Sequence, residues 1–176
     1  KEDLKICKIA TKQGIKVFRG DEKNVLKRIF DASNKVRTDI VIRVTGDDIL
    51  IDPEYLDKLI NFHLKKNLEY SNNKGLPGGT EVEIFNKSLL SFLLKMIKNK
   101  DDTEYLTFFI DRFKDQFSYG SLNIPKKHRS SKSLTIDTKY DFQFVKNFLL
   151  RMRKKNKKYN YKMDDVIKYL KKNKKK

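Results

Sequence analysis

The sequence predicts an α/β domain of three layers, with helices on both sides of a mixed, mainly parallel sheet. Three observations predict it. Helix-period segments and short β-branched runs alternate through the first half. Asp, Asn and Gly punctuate their ends. Later the pattern loosens, and a polar–apolar alternation signals antiparallel additions. The 176 residues suit one domain, 1–176, large enough for a real core.

Residues 2–13 read as a helix with Leu4, Cys7 and Ala10 or Thr11 on one face, stopped by Gly14. The chain opens on Lys1 inside this pattern, so a fragment lacking its own N-terminus is expected. Ile15, Val17 and Phe18 suggest a short strand ended by Gly20. Asp21 to Asn24 open a second helix with Val25, Leu26, Ile29, Phe30, Ala32 and Val36 on its apolar face. Residues 39–44, DIVIRV, are nearly continuously apolar, as expected of a strand covered on both faces. Asp52 then caps a helix, with Pro53 at its first position and Glu54 near the positive end of its dipole. Tyr55, Leu56, Leu59, Ile60 and Phe62 to Leu64 face inward from it.

Residues 68–71 suggest a strand, 72–79 a glycine-rich loop, and 81–85 an alternating, half-buried strand. Helices are expected at 87–98 and 103–113, the second capped by Asp101 and Asp102. Strands are expected at 120–124 and 132–136. A helix over 138–153 turns Tyr140, Phe144, Val145, Phe148 and Leu149 inward, and one over 163–171 uses Met163, Val166, Ile167 and Leu170.

The net charge is +18, with residues 151–176 alone at +11. This basic C-terminal helix and tail, 153–176, raises nucleic acid as a partner. Lys outnumbers Arg 33 to 8, and Arg is the usual residue for base and phosphate recognition. A solvated lysine face is the favoured reading, and nucleic-acid binding a minor alternative. No run of 18 apolar residues is present, so no membrane span is expected. Cys7, the one cysteine, permits no internal disulfide and no cysteine zinc site. It reads as a small buried hydrophobe, consistent with a reducing cytoplasm.

In open α/β sheets ligands bind at the carboxyl ends of strands. Two carboxylates are expected there, Asp47 after the strand ending near Thr45 and Asp137 after Ile136. Two such groups plus nucleotide phosphates make a natural Mg²⁺ site. The alternative is structural: an Asp after a strand often caps the next helix, and Asp137 precedes Thr138. The sequence holds no P-loop, GxGxxG, HExxH or GxSxG. His63 and His128 have no evident nucleophile partner and read as surface or packing residues.

Four blocks carry a resemblance. They are GIKVFRG (14–20) with NVLKR (24–28), RVTGDDILIDPEYLD (43–57), PGGTEVEIF (77–85) and LTIDTKYDF (134–142). In this order they resemble the cytidylyltransferases of the spore coat polysaccharide biosynthesis protein F type, relatives of the acylneuraminate and 3-deoxy-manno-octulosonate cytidylyltransferases. The terminal stretch 159–173 is similar too.

The resemblance implies a nucleotide-diphosphosugar-transferase-like fold. It implies transfer of CMP from CTP to a sugar, above all a sugar acid, for surface polysaccharide. It implies that Asp47 and Asp137 bind Mg²⁺ as the catalytic pair. Gly20, Asn24, Arg28 and Gly46 then stand on the nucleotide side, and Glu81, Glu83, Glu104 and Thr107 on the sugar side. A cytoplasmic enzyme and a homodimer are also implied. For Glu83 a solvated strand face weighs equally. A glycosyltransferase of similar fold is the neighbouring alternative.

Three departures stand out. The first βα unit, with its triphosphate-gripping loop, has no counterpart in these residues, so the fragment is expected to lack much of its nucleotide site. Asp48-Ile49 replaces Cys-Pro. Residues 103–107, TEYLT, replace REHVT and leave the sugar open.

Overall fold

The structure, a computed structural model, describes residues 3–98, 103, 105–156 and 160–173. It contains helices α1 (Asp3–Lys12), α2 (Val25–Val36), α3 (Pro53–Lys65), α4 (Lys87–Met96), α5 (Leu106–Phe113), α6 (Lys139–Lys154) and α7 (Met163–Lys172). Four strands, β1 (Ile40–Arg43), β2 (Tyr70–Asn72), β3 (Glu83–Asn86) and β4 (Tyr119–Ser121), form one sheet in the order β1-β3-β2-β4. β3 pairs antiparallel with β1 and β2, and β2 pairs parallel with β4. Three strands thus share one direction, and the antiparallel strand sits between two of them.

β3 shows why there are three layers. Successive side chains of a strand point to opposite faces. Ile84 packs with Leu59 of α3 on one face. Phe85 packs with Leu26 of α2 and Leu89, Leu90 and Leu93 of α4 on the other. A third cluster joins α6 and α7 to Leu50, Tyr55, Leu76 and Leu134. The aromatic pairs Phe144–Tyr169 and Phe148–Tyr161 lie 5.0 and 5.3 Å apart there, within the range of favourable edge contacts.

Caps set the helix starts. Asn24 accepts the Lys27 N–H at 2.9 Å and begins α2. Buried Asp52 accepts the Glu54 N–H at 2.9 Å and begins α3. Its other oxygen accepts the Met163 N–H at 2.6 Å, so one carboxylate also holds the start of α7. Thr138 and Asp141 form a capping box at α6. Asp137 is therefore not the cap.

Several expectations do not hold. Residues 15–18 form no ladder, and Ile15, Val17 and Phe18 are exposed. Residues 132–136 make one parallel bridge, Gly78 to Ser133, in place of a strand. Strand propensity builds no strand without a neighbouring edge to pair with. β1 is covered on both faces only at its start, where Ile40 and Val41 pack against opposite clusters, while Ile42, further along this edge strand, is exposed. Cys7 is only half-buried, and α1 buries no residue. The capping pair Asp101 and Asp102 lies outside the described residues.

Candidate active site

The site is built where three loops meet. The turn after β1 closes with the Asp48 N–H on the Thr45 carbonyl at 3.2 Å. The Ile136 N–H then donates to the Asp47 carbonyl at 3.2 Å, so the two acidic segments are seated side by side. Thr135 adds a second tie, its hydroxyl donating to Asp48 Oδ1 at 2.7 Å. Asp48, where the sequence leaves the resembled pattern, is thus a strut between the turns that bear Asp47 and Asp137. Asp47 is half-buried and Asp137 exposed.

The loop 77–79 is the third part. The Leu134 N–H donates to the Gly78 carbonyl at 2.6 Å, and the Leu50 N–H to the Gly79 carbonyl at 3.2 Å. Gly79 has a φ of +83°, and a Cβ there would lie 2.6 Å from Leu134 C and Thr135 N. Only glycine meets both demands.

A groove of about 760 Å³ runs beside β1, lined in part by Arg28, Arg43, Thr45, Gly46 and Asp47. A second cavity, about 310 Å³, is lined by Asp48, Tyr70, Lys74, Glu81, Glu83 and Thr107, among others. Arg43 and Thr45 line both, so the two spaces share a wall.

On the nucleotide side, Gly46 and Arg28 reach the groove, but Arg28 Nη1 is also committed to the Asp21 and Glu22 carbonyls at 2.9 and 3.2 Å. Gly20 packs on Arg28, where a Cβ would come within 3.0 Å of its Cγ. Asn24 is buried and its oxygen is used as a cap, which turns this nucleotide candidate into a structural residue.

On the sugar side, Glu81, Glu83 and Thr107 do come together, and Glu104 lies outside the described residues. Glu83 is no solvated strand residue. It pairs with Arg43 and accepts the Tyr70 hydroxyl at 2.7 Å and the Thr107 hydroxyl at 3.3 Å. Burial and the Glu83 charge hold the Tyr70 phenol far above its ordinary value. Glu81 accepts the Gly75 N–H at 2.9 Å, and burial pushes its carboxyl up.

Arg43, Tyr70 and Lys74 escaped the sequence reading as site residues. Arg43 stood inside the quoted RVTG block, and that was the available signal. Tyr70 and Lys74 carried none. Both histidines are buried packing residues rather than surface ones. His63 bridges Ser71 and Asn86 at 2.9 and 3.0 Å. His128 bridges the Tyr55 hydroxyl at 2.6 Å and Asp164 at 2.9 Å, tying α3 to α7. Among the described residues no helix is long and apolar enough to cross a membrane.

Comparison with known proteins fits this geometry. Residues 1–173 match the model of the cytidylyltransferase family. The chain is 33% identical over 174 residues to an uncharacterized protein of Methanocaldococcus jannaschii, covering 98% of this chain and 70% of that one. It is 34% identical over 137 residues to the spore coat polysaccharide biosynthesis protein SpsF of Bacillus subtilis, covering 77% of this chain and 57% of SpsF. A solved cytidylyltransferase from Leptospira borgpetersenii superposes with a TM-score of 0.86 at 28% identity, over 97% of this chain and 71% of that one.

Fold and relatives together define a nucleotidyltransferase. The chain belongs to the cytidylyltransferase family. That sets aside the glycosyltransferase alternative.

Proposed function

We propose that this chain takes part in Mg²⁺-dependent transfer of CMP from CTP to a sugar, in the cytoplasm, for surface-polysaccharide synthesis. The observation that carries this reading is the bond from the Ile136 N–H to the Asp47 carbonyl. It seats two acidic segments against each other, and Asp47 of one of them lines the 760 Å³ groove.

The donor set fits Mg²⁺. Asp47 and Asp137 offer hard oxygens, and Mg²⁺ usually takes one or two carboxylates with phosphate and water. Bound there, the ion would neutralise charge developing on the phosphates.

The protein's own residues supply position. Arg28 and Lys23 line the groove and favour an anionic ligand. Glu81, Glu83 and Thr107 line the neighbouring cavity and suit the hydroxyls of a sugar. The acceptor hydroxyl attacks the α-phosphorus and gives up its proton as the new P–O bond forms. Pyrophosphate leaves with the electrons of the bond that breaks. Holding both reactants across the shared Arg43–Thr45 wall removes much of the entropic barrier.

Two measurements test the proposal: calorimetric binding of CTP with and without Mg²⁺, and pyrophosphate release with a sugar panel. Asp47→Asn and Asp137→Asn are each expected to lower turnover on the order of 10²-fold or more, with circular dichroism unchanged. Wild-type CTP binding and turnover in both variants would discard the metal assignment. The homodimer that the resemblance implies is tested separately by sedimentation equilibrium.

A further inference from the structure

Helix α6 carries apolar side chains beyond those it needs for the core. Phe144, Phe148 and Met152 face inward and are buried. Phe142 and Leu150 stand outside that cluster and are 55% and 46% exposed. With Leu149, and with Ile49 and Ile136 from the turns beside Asp48 and Asp137, they line a groove of about 370 Å³. Ile49 is itself exposed and sits where the sequence departs from the resembled pattern. The groove is thus a property of this chain's own sequence.

The charged part of the lining is cationic. It consists of Lys146 and Arg153, and none of the described residues lining the groove is acidic. Among the described residues neither cation pairs with a carboxylate, and Lys146 lies over the Phe142 ring at 6.0 Å. The one acidic residue of α6, Asp141, is buried in the capping box. Asp48 and Asp137 adjoin Ile49 and Ile136 in the chain, and Asp137 stands just before α6 begins. Arg153 lies eleven residues beyond Phe142, about 16 Å along the helix.

We propose that this groove docks an acidic amphipathic helix of a partner protein, its apolar side on Phe142, Leu149 and Leu150 and its carboxylates on Lys146 and Arg153. A concave apolar channel flanked by charge seats such helices through anchors about one turn apart. Covering exposed Phe and Leu supplies attraction, and the two cations set the sign of the partner. A second copy of this chain suits the groove poorly, because it brings a net charge of +18 toward a cationic rim. A bilayer is flat at this scale and would leave the floor of the groove without contacts.

The test uses three labelled synthetic peptides, each about five helical turns long. One has leucines on one face and glutamates on the other. The second scrambles that composition, and the third puts lysines in place of the glutamates. In anisotropy titrations at physiological salt the acidic amphipathic peptide should bind at least about tenfold tighter than either control. The scrambled peptide accounts for the general attraction of a basic chain to acids. Phe142→Ser and Leu150→Ser should each weaken binding about tenfold, and Arg153→Glu more, with circular dichroism unchanged.

Equal binding of the scrambled or the lysine peptide overturns the proposal, as does binding that the three variants leave unchanged. Absence of peptide binding overturns it too. Vesicles of pure phosphatidylcholine and of equimolar phosphatidylcholine and phosphatidylglycerol are sedimented with the same samples. Vesicle binding that Phe142→Ser and Leu150→Ser abolish, with no preference among the peptides, assigns the face to a membrane surface and discards the docked helix. Neither CTP nor Mg²⁺ enters these titrations, so their outcome is independent of the cytidylyl-transfer reading.

Discussion

Helices α1 and α7 are both ten residues long and both carry apolar side chains at helical spacing. α7 buries Met163, Val166, Ile167, Tyr169 and Leu170 against α6 and the start of α3. α1 buries nothing, and Ile6 and Ile9 are 69% and 65% exposed. The same contrast runs through the sheet, where β3 is covered on both faces and β1 leaves Ile42 exposed at the edge. An amphipathic pattern states what a segment is able to bury. Whether it does so depends on a facing surface, and that surface is a property of the whole fold.

The comparison is broken most directly by trimming equal side chains on the two helices. Leu170→Ala in α7 should cost about 3 kcal/mol in urea unfolding, because it leaves a cavity in a closed core. Ile6→Ala in α1 should stay within about 0.5 kcal/mol. Similar losses at both sites would show that α1 is packed in solution.

Next in size is Asp52→Ala, expected to cost about 2 kcal/mol, since it orphans the Glu54 and Met163 N–H groups together. Amide exchange near residues 163–166 should rise in that variant. If it does not, α7 is held by its apolar face alone.

The smallest effect is predicted away from both helices, at Glu81. Its folded pKa is raised by burial, so its favourable contribution is present below the ordinary 4.5 and lost as pH rises through the raised value. Glu81→Gln should therefore melt slightly above wild type at pH 7, with the gap closing below the ordinary carboxylate range. A gap that widens in acid would reverse the assignment.

Much of the helical frame was legible because local chemistry wrote it. Asp52-Pro53 marked the start of α3, and apolar spacing predicted α6 over 138–153 and α7 to within a residue, although the cap of α6 is Thr138 and not Asp137. Asp47 and Asp137 were read as carboxylates at strand ends; β1 stops at Arg43 and 132–136 is no strand, and it is the hydrogen bond from Ile136 that brings their segments together.

Glu83 was legible only as an even choice between a sugar-side residue and a solvated strand face, since the partners that decide it arrive from β1, β2 and α5. Asp48 was not legible, because its partner Thr135 lies 87 residues away. Nor could the sequence distinguish the run at 15–18, which forms no ladder, or that at 132–136, which makes a single bridge, from strands, because propensity carries no record of a neighbouring edge.

Gly79 has a consequence for the order of folding. The bonds around it join segments far apart in the chain, 50 to 79, 78 to 134 and 47 to 136. Such closures cost chain entropy before they return stability, and they slow folding. The helices and the 70–86 hairpin can assemble from nearer contacts, leaving the acidic mouth to close last. In refolding experiments helical signal should recover ahead of ligand binding, and Gly79→Ala should delay the second far more than the first.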